Sequence, residues 1–380
     1  MSLMRSQVDD AADWTEAIID SPSAGALGAG TTVASGCAMA DGAVAPAITQ
    51  QADSKMAREG QRMERNMPCI VAAGGNDPVA AHRIRVTGLL AALAASAGLG
   101  GCAWLQTKER ELALRPTPGA PANPDAAMAW QPGDEVFTVA SASAPGQRLA
   151  IWWLPQPDPQ AATLLYLHGT LRSLYGNAPK IEALRRTGFA ILAVDYRGWG
   201  DSSPIVPSEE TIVADAWQAW TLLQQRQGDP RRRVVFGHSM GSAVAVILAS
   251  QLRHGTDYGA LALESAITRL PDVAAEAGFW GRIGASITTL RFDAISRIGA
   301  VDAPIWMLHG DADNTVPIVL GRRLRDAAPP GVHWTEVPGG PHSRLHSYAP
   351  DVYAKHYRDL QASLPGADKP PPSPTPPRTQ

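Results

Sequence analysis

Ser239 is the residue around which covalent chemistry can be built. It stands in Gly237-His238-Ser239-Met240-Gly241, a G-x-S-x-G pattern, between the apolar run Val234-Val235-Phe236 and the apolar stretch Ala243–Leu252. A strand that feeds a helix through so short a connection needs a sharp turn. Two glycines permit that turn, and the serine hydroxyl is then presented beside the first N–H groups of the helix. A serine hydroxyl is a poor nucleophile at neutral pH. It needs a histidine to take its proton and a carboxylate to hold that histidine in the right tautomer. Three fixed letters in five recur by chance, so the rest of the chain has to supply a base, an acid and an oxyanion hole in order.

The elements that must position these groups are legible as alternating patterns. Glu135–Ala140 and Arg148–Leu154 alternate like an antiparallel pair around a Pro145-Gly146 turn. Ala162–Leu167 is a continuous apolar run of the kind that suits a strand covered on both faces. A helix over Asn177–Arg186, a strand over Phe189–Val194, a helix over Glu209–Gln225, the strand and helix around Ser239 and a strand over Ala260–Leu263 follow. Strand Pro304–Leu308, helix Ile318–Ala327, strand His333–Val337 and helix Tyr348–Leu364 complete the order. Strands alternating with helices imply a mostly parallel sheet with helices on both faces.

The ends of the chain read differently. Residues 1–80 are rich in Ala, Gly, Ser and Met without a sustained period, as in a segment that cannot bury a core, and Met56, Met63 and Met67 are internal alternatives for a start. Arg83 and Arg85 then precede a short run of small and apolar residues, 86–98, and Leu99-Gly100-Gly101-Cys102. Positive flank, apolar stretch and small residues are the parts of an export signal; an uncleaved membrane helix and a plain apolar segment are the alternatives. Leu-Gly-Gly-Cys resembles the bacterial lipobox, which implies acylation of Cys102, a tether in the cell envelope and, with Ala103 next, a lean towards the outer membrane. Cytoplasmic residence is the alternative if the signal is unused. The expected organisation is an extension with signal at 1–101, a Pro/Ala-rich linker at 102–132, a catalytic domain at 133–364 and a disordered Pro-rich tail at 365–380. From totals of 33 Lys/Arg and 36 Asp/Glu, removing residues 1–101 leaves 26 of each, so no basic field argues for nucleic acid. Cys37, Cys69 and Cys102 are the only cysteines, which leaves the expected catalytic domain without a disulfide framework or a cysteine-based metal site.

Several motifs over residues 133–364 together resemble the α/β-hydrolase superfamily. Besides the serine turn, Tyr166-Leu167-His168-Gly169-Thr170 matches the His-Gly motif after the third strand, Asp195-Tyr196-Arg197-Gly198-Trp199-Gly200-Asp201-Ser202 matches D-x-R-G-x-G-x-S, and His309-Gly310-Asp311-Ala312-Asp313-Asn314-Thr315-Val316-Pro317 matches H-G-x-x-D-x-x-V-P. Pro338-Gly339-Gly340-Pro341-His342 resembles the G-G-x-H loop. The resemblance implies a central sheet of about eight strands with a small cap between strands six and seven, and a triad of Ser239, Asp313 and His342. It implies an oxyanion hole from the backbone N–H groups of Met240 and Thr170, with Leu171 as the alternative to Thr170. Asp311 is the near decoy for the acid and Glu264 a distant third; His346 is the fallback for the base. His168 is read as a packing residue beneath its loop, and Asp195, Arg197 and Asp201 as loop architecture. His238, His254, His333 and His356 are read as packing or surface.

A serine at this turn implies acyl transfer to water, without cofactor or metal. The motif forms are most similar to the lysophospholipase, monoacylglycerol-lipase and depalmitoylase-like branch, which implies lipid-like acyl esters or thioesters as substrates. A serine aminopeptidase of the same fold is the enzymatic alternative, and a catalytically inert binding lipoprotein is the alternative from another class. Within 266–303, the expected cap, Phe279, Trp280, Ile283, Ile287, Leu290 and Phe292 offer apolar surface that serves equally as ordinary packing or as an acyl-chain pocket.

Overall fold

The computed structural model describes Gly101 and residues 103–365, apart from the side chains of Phe279 and Trp280. The expected export signal, Cys102 and nearly all of the Pro-rich tail lie outside the described residues.

Eight strands form one sheet in the order β1-β2-β4-β3-β5-β6-β7-β8. They are β1 Glu135–Ala140, β2 Arg148–Leu154, β3 Thr163–Leu167, β4 Ala190–Asp195, β5 Arg233–His238, β6 Ala260–Glu264, β7 Ile305–Gly310 and β8 His333–Val337. β1 pairs antiparallel with β2, and β2 antiparallel with β4, while every later pair is parallel. The helices are α1 at 103–114, α2 Leu174–Arg185, α3 Glu209–Arg226, α4 Met240–Ala249, α5 Leu270–Glu276, α6 Phe279–Ile287, α7 Ile318–Ala327, α8 Leu345–Tyr348 and α9 Pro350–Ser363.

The continuous apolar strands have the physical consequence that their period of two requires. Leu164, Tyr166, Phe236, Ala262 and Leu308 point to one face and pack with Ile181 and Leu184 of α2 and Tyr357 and Leu360 of α9. Leu165, Leu167, Val235, Leu263 and Met307 point to the other and pack with Ala216 and Trp220 of α3 and with α4. Both faces of the parallel strands are therefore apolar, and the sheet lies between two cores.

Two local readings change. α2 begins at Leu174, three residues before the expected start, because an Asp195 Oδ1 accepts the Leu174 N–H at 2.8 Å and the Asn177 side chain donates to the carbonyls of Arg172 and Ser173. Side chains from outside the turn thus satisfy groups that a helix start leaves open. The stretch 102–132, expected as a free linker, is docked over its described part. Leu114 is buried in the core with Trp220, Gly119 N–H donates to Gly200 O at 2.7 Å, and Trp130 stands edge-on to Trp152 at 4.9 Å. Its few large apolar residues find partners, which outweighs its Pro/Ala composition.

The cap region between β6 and β7 holds α5 and α6. Leu290 and Phe292 are buried in the core, whereas Ile283 and Ile287 of α6 are exposed.

Candidate active site

The serine turn is tight enough to exclude any side chain at its two glycines. A Cβ on Gly237 would lie 2.2 Å from Gly241 O, and one on Gly241 would lie 2.1 Å from Leu167 O. Between them Ser239 adopts φ 55° and ψ −126°, a strained conformation for a residue with a side chain. Three hydrogen bonds hold it there, and a fourth fixes Ser242: Ser239 N–H donates to Glu264 O at 3.0 Å, and Ser239 O accepts from Ser242 N at 2.9 Å and from Ser242 Oγ at 2.5 Å, while Ser242 Oγ accepts from Ile267 N at 3.1 Å.

The structure brings Ser239, His342 and Asp313 together although they come from the ends of β5, β8 and β7. Ser239 Oγ lies 3.0 Å from His342 Nε2, and His342 Nδ1 lies 2.7 Å from Asp313 Oδ2. An ionised carboxylate only accepts, so Nδ1 carries the ring proton and Nε2 is left to accept from the serine. Asp313 is 5% exposed. Burial by itself pushes its carboxyl up, but the facing His342 and His309 rings and their hydrogen bonds outweigh that and hold it well below the usual carboxylate range. Its second oxygen accepts the N–H groups of Thr315 at 3.0 Å and Val316 at 2.7 Å.

The alternatives fall elsewhere. Asp311 Oδ1 accepts the Gly339 N–H at 2.5 Å and so braces the glycine loop that carries His342. Glu264 is fully buried with its carboxylate on Lys180 Nζ at 2.5 Å and on the Tyr353 hydroxyl at 3.1 Å. His346 packs against Tyr353, with ring centroids 6.0 Å apart. His333 stacks on Trp306 at 3.9 Å and His356 accepts or donates at Thr335 Oγ1, 3.0 Å away.

The loop after β3 reaches the serine. A Cβ on Gly169 would meet Ser239 Cβ at 2.9 Å, so the backbone there passes in contact with Ser239. Thr170 follows directly, and Leu171 takes φ 74° to turn the chain away. Met240 is the first residue of α4, so its N–H has no acceptor within the helix. His168 is fully buried under this loop, with its ring against Tyr196 and Trp199 and its Nδ1 donating to Gly169 O at 2.6 Å. Burial holds the ring at about 4, so it is neutral. Asp195 lies 3.4 Å from its Nε2, and burial pushes that carboxyl up to about 8. Arg197 pairs with buried Asp215 at 2.8 Å, and Asp201 accepts the Tyr175 hydroxyl at 2.6 Å, so both stabilise the loop.

Three further residues support the site in ways their sequence motifs do not reveal. His309 is fully buried, donates from Nε2 to Val316 O at 2.9 Å and faces Asp313 Oδ2 at 3.4 Å. Ser265 Oγ at 3.2 Å and His238 Nε2 at 3.3 Å both donate to the carbonyl of His342. His238 is held neutral by burial, then by the charge of Lys180 beside it.

The model of the family described as serine aminopeptidase, S33, matches residues 158–283, which includes Ser239 but ends before Asp313 and His342. An uncharacterized protein of Mycobacterium tuberculosis is 32% identical over 254 residues, covering 66% of this chain and 86% of that protein. Lysophosphatidylserine lipase ABHD12 of Danio rerio is 31% identical over 194 residues, covering 47% of this chain and 50% of that protein, so the chain spans about half the length of that relative. Among solved structures, the esterase Pf2001 of Pyrococcus furiosus shares the fold with a TM-score of 0.52 at 17% identity, covering 62% of this chain and 95% of that one. With eight strands in this order, a serine at the turn into α4, and a relative matched over most of its length, the chain belongs to the α/β-hydrolase superfamily of serine hydrolases.

Proposed function

We propose that the protein hydrolyses carboxylic esters or thioesters of lipid-like acyl substrates through an acyl-enzyme on Ser239. The observation that carries this reading is the run of contacts from Ser239 Oγ to His342 Nε2 at 3.0 Å and from His342 Nδ1 to Asp313 at 2.7 Å. As Ser239 Oγ bonds to the acyl carbon, its proton passes to His342 Nε2, and Asp313 stabilises the imidazolium that forms. The carbonyl oxygen becomes an oxyanion facing the N–H groups of Met240 and Thr170; each such donor is worth about 10²–10³ in rate in comparable sites. The acyl–oxygen or acyl–sulfur bond then breaks, and His342 returns the proton to the leaving group. A water attacks the acyl-enzyme by the same route in reverse.

Support for the ester reading comes from the lipase and esterase names among the relatives and neighbours. The serine aminopeptidase family model supports a second reading, cleavage of an amide at a free amino end. Labelling with a fluorophosphonate probe tests the nucleophile: wild type is expected to label and Ser239→Ala not to, and equal labelling of the two rejects the mechanism. Turnover of acyl esters of rising chain length against an aminoacyl amide separates the two substrate classes, with the esters expected to be faster.

We further propose that the protein works at a lipid surface, tethered through Cys102. α1 follows that cysteine and exposes Trp104, Leu105 and Leu112, which fall within about a 100° arc of the helix, beside Lys108. Glu109 accepts from Thr289 N at 2.7 Å and from Thr288 Oγ1, which joins α1 to the end of α6, where Ile283 and Ile287 are exposed. Membrane partitioning and processing that are the same in wild type and Cys102→Ser would reject the tether.

A further inference from the structure

The protein holds a concavity with a volume of about 260 Å³ between the start of α2 and the residues that follow His342. Arg172, Asn177 and Lys180 line one wall, and Ser343, Arg344 and His346 line the other; no Asp or Glu is among the lining residues. Both walls adjoin site residues in the chain. Arg172 stands two residues after Thr170, and Ser343 directly follows His342.

The charges in this cleft are unequal in what they offer. Lys180 is buried and its Nζ sits on Glu264 Oε1 at 2.5 Å, so its charge is offset within the protein. Arg172 and Arg344 are exposed at the rim and bring positive charge from opposite walls. Each has a partner within the protein. A guanidinium carries five N–H donors in a planar fork. His346 adds a polar atom: its Nδ1 is buried with no hydrogen-bond partner among the described residues. Burial, then the charge of Lys180, hold that ring at about 4, so it is neutral and offers a hydrogen bond without charge.

We propose that this cleft binds the phosphate of an anionic acyl ester, held between Arg172 and Arg344 while the ester carbonyl lies at Ser239. The proposal rests on the ester-hydrolase reading and names its substrate class. Guanidinium groups match phosphate oxygens two at a time, and donors from two walls suit the tetrahedral spread of a phosphate better than the plane of a carboxylate. The volume is below the usual range for a whole small molecule, about 300–1,000 Å³, and fits a headgroup better than an acyl chain. Two guanidiniums here also disfavour the free amino end that a peptidase of this fold would bind.

The test compares three esters with the same acyl chain at fixed ionic strength: a monoacylglycerol, the corresponding monoacylglycerol phosphate, and a hemisuccinate that carries a carboxylate in place of the phosphate. The ratio of kcat/KM for the phosphate ester to that for the neutral ester is expected to exceed ten in wild type and to fall at least tenfold in Arg172→Gln and in Arg344→Gln. A wild-type ratio of one or less overturns the subsite, as does an equal loss on both esters in the variants. A hemisuccinate favoured as strongly as the phosphate overturns the assignment to phosphate. Calorimetric binding of inorganic phosphate is independent of turnover: it is expected in wild type and in Ser239→Ala, and at least tenfold weaker in Arg344→Gln. Equal phosphate binding in all three overturns the subsite even if esters are hydrolysed. If wild type neither labels with fluorophosphonate nor turns over any ester, the hydrolase mechanism fails by itself, and the phosphate-binding result still decides the cleft.

Discussion

Replacing Asp313 by Asn should stop the chemistry while leaving the site assembled, and the local hydrogen bonds say why. Asp313 Oδ1 accepts two backbone N–H groups, from Thr315 at 3.0 Å and Val316 at 2.7 Å, and Oδ2 accepts from His342 Nδ1 at 2.7 Å. In Asp313→Asn the amide oxygen is needed at the Oδ1 position, because placing the amide nitrogen there would set donors against two buried N–H donors at about 1–3 kcal/mol each. The amide nitrogen therefore faces His342 Nδ1 and donates to it. Nδ1 then has to be the unprotonated nitrogen, the ring proton moves to Nε2, and Nε2 no longer accepts from Ser239 Oγ. The expected loss in kcat is about 10³–10⁴, or about 4–5.5 kcal/mol in the barrier, read from the hydrolysis of a chromogenic acyl ester. Asp311→Asn keeps an acceptor for the Gly339 N–H and should lose less than tenfold. Stability supplies a second readout. The Asp313 carboxyl is held below its ordinary value in the folded protein, so its charge stabilises the fold fully at neutral pH and that contribution is lost as pH falls below the ordinary carboxylate range. Wild type should therefore be more stable than Asp313→Asn at pH 7, with the gap closing under acid. A loss below tenfold in Asp313→Asn, or a larger loss in Asp311→Asn, would refute the assignment of the acid.

Three further outcomes follow from other parts of the structure. Lys180→Met leaves Glu264 buried with its main charge partner gone and should cost about 3–5 kcal/mol in urea unfolding, whereas adding Glu264→Leu should recover part of the loss; no recovery would show that the pair does not act as a unit. Asp195, whose carboxyl burial raises to about 8, binds its proton more tightly folded than unfolded, so its contribution to stability is full below about pH 4 and is lost as pH rises through 8. Subtracting Asp195→Asn from wild type in thermal unfolding should leave a difference that declines over that window, and a flat difference would count against it. Gly241→Ala would place a Cβ 2.1 Å from Leu167 O, so it should abolish fluorophosphonate labelling; labelling at the wild-type rate would mean that the turn is looser than it is here.

The parts of this fold that were legible in the sequence are those governed by local pattern. β3 and β5 are continuous apolar runs because both faces are covered, and the glycines around Ser239 mark a turn where a Cβ has no room. The roles of Asp313 and His342 came from motif resemblance, since nothing in spacing alone brings together side chains from the ends of three strands. The docking of α1 was hidden by composition: its surroundings are Pro- and Ala-rich, and the buried contact rests on single residues such as Leu114 and Trp130. Lys180 and Glu264 lie 84 residues apart, and each by itself looks like a surface residue. His309 stood inside a recognised motif, but its role depends on a ring that faces Asp313 across the loop, which no neighbour in sequence reveals.

These hidden residues explain how the strained serine is kept in place. The N–H of Ser239 is held by the carbonyl of Glu264, the side chain of Glu264 is tied to Lys180 of α2 and Tyr353 of α9, and those two helices lie on the same core. The carbonyl of His342 is held by Ser265, which follows Glu264, and by His238, which precedes Ser239. Ser239 and His342 are thus fixed through their backbones by residues from the ends of β5 and β6, and their side chains meet as a result of that fixing. A backbone conformation such as φ 55° at Ser239 costs of order 1–3 kcal/mol and persists only where the surroundings over-determine it. The same over-determination keeps the 3.0 Å approach of Oγ to Nε2 from depending on one hydrogen bond, which is what holding reacting groups in order requires. Ser265→Ala removes one of the two donors on the His342 carbonyl without touching the triad side chains. It should therefore lower kcat by a few-fold and leave the fold intact, which steady-state kinetics beside thermal unfolding would show; an unchanged kcat would mean that His238 alone suffices.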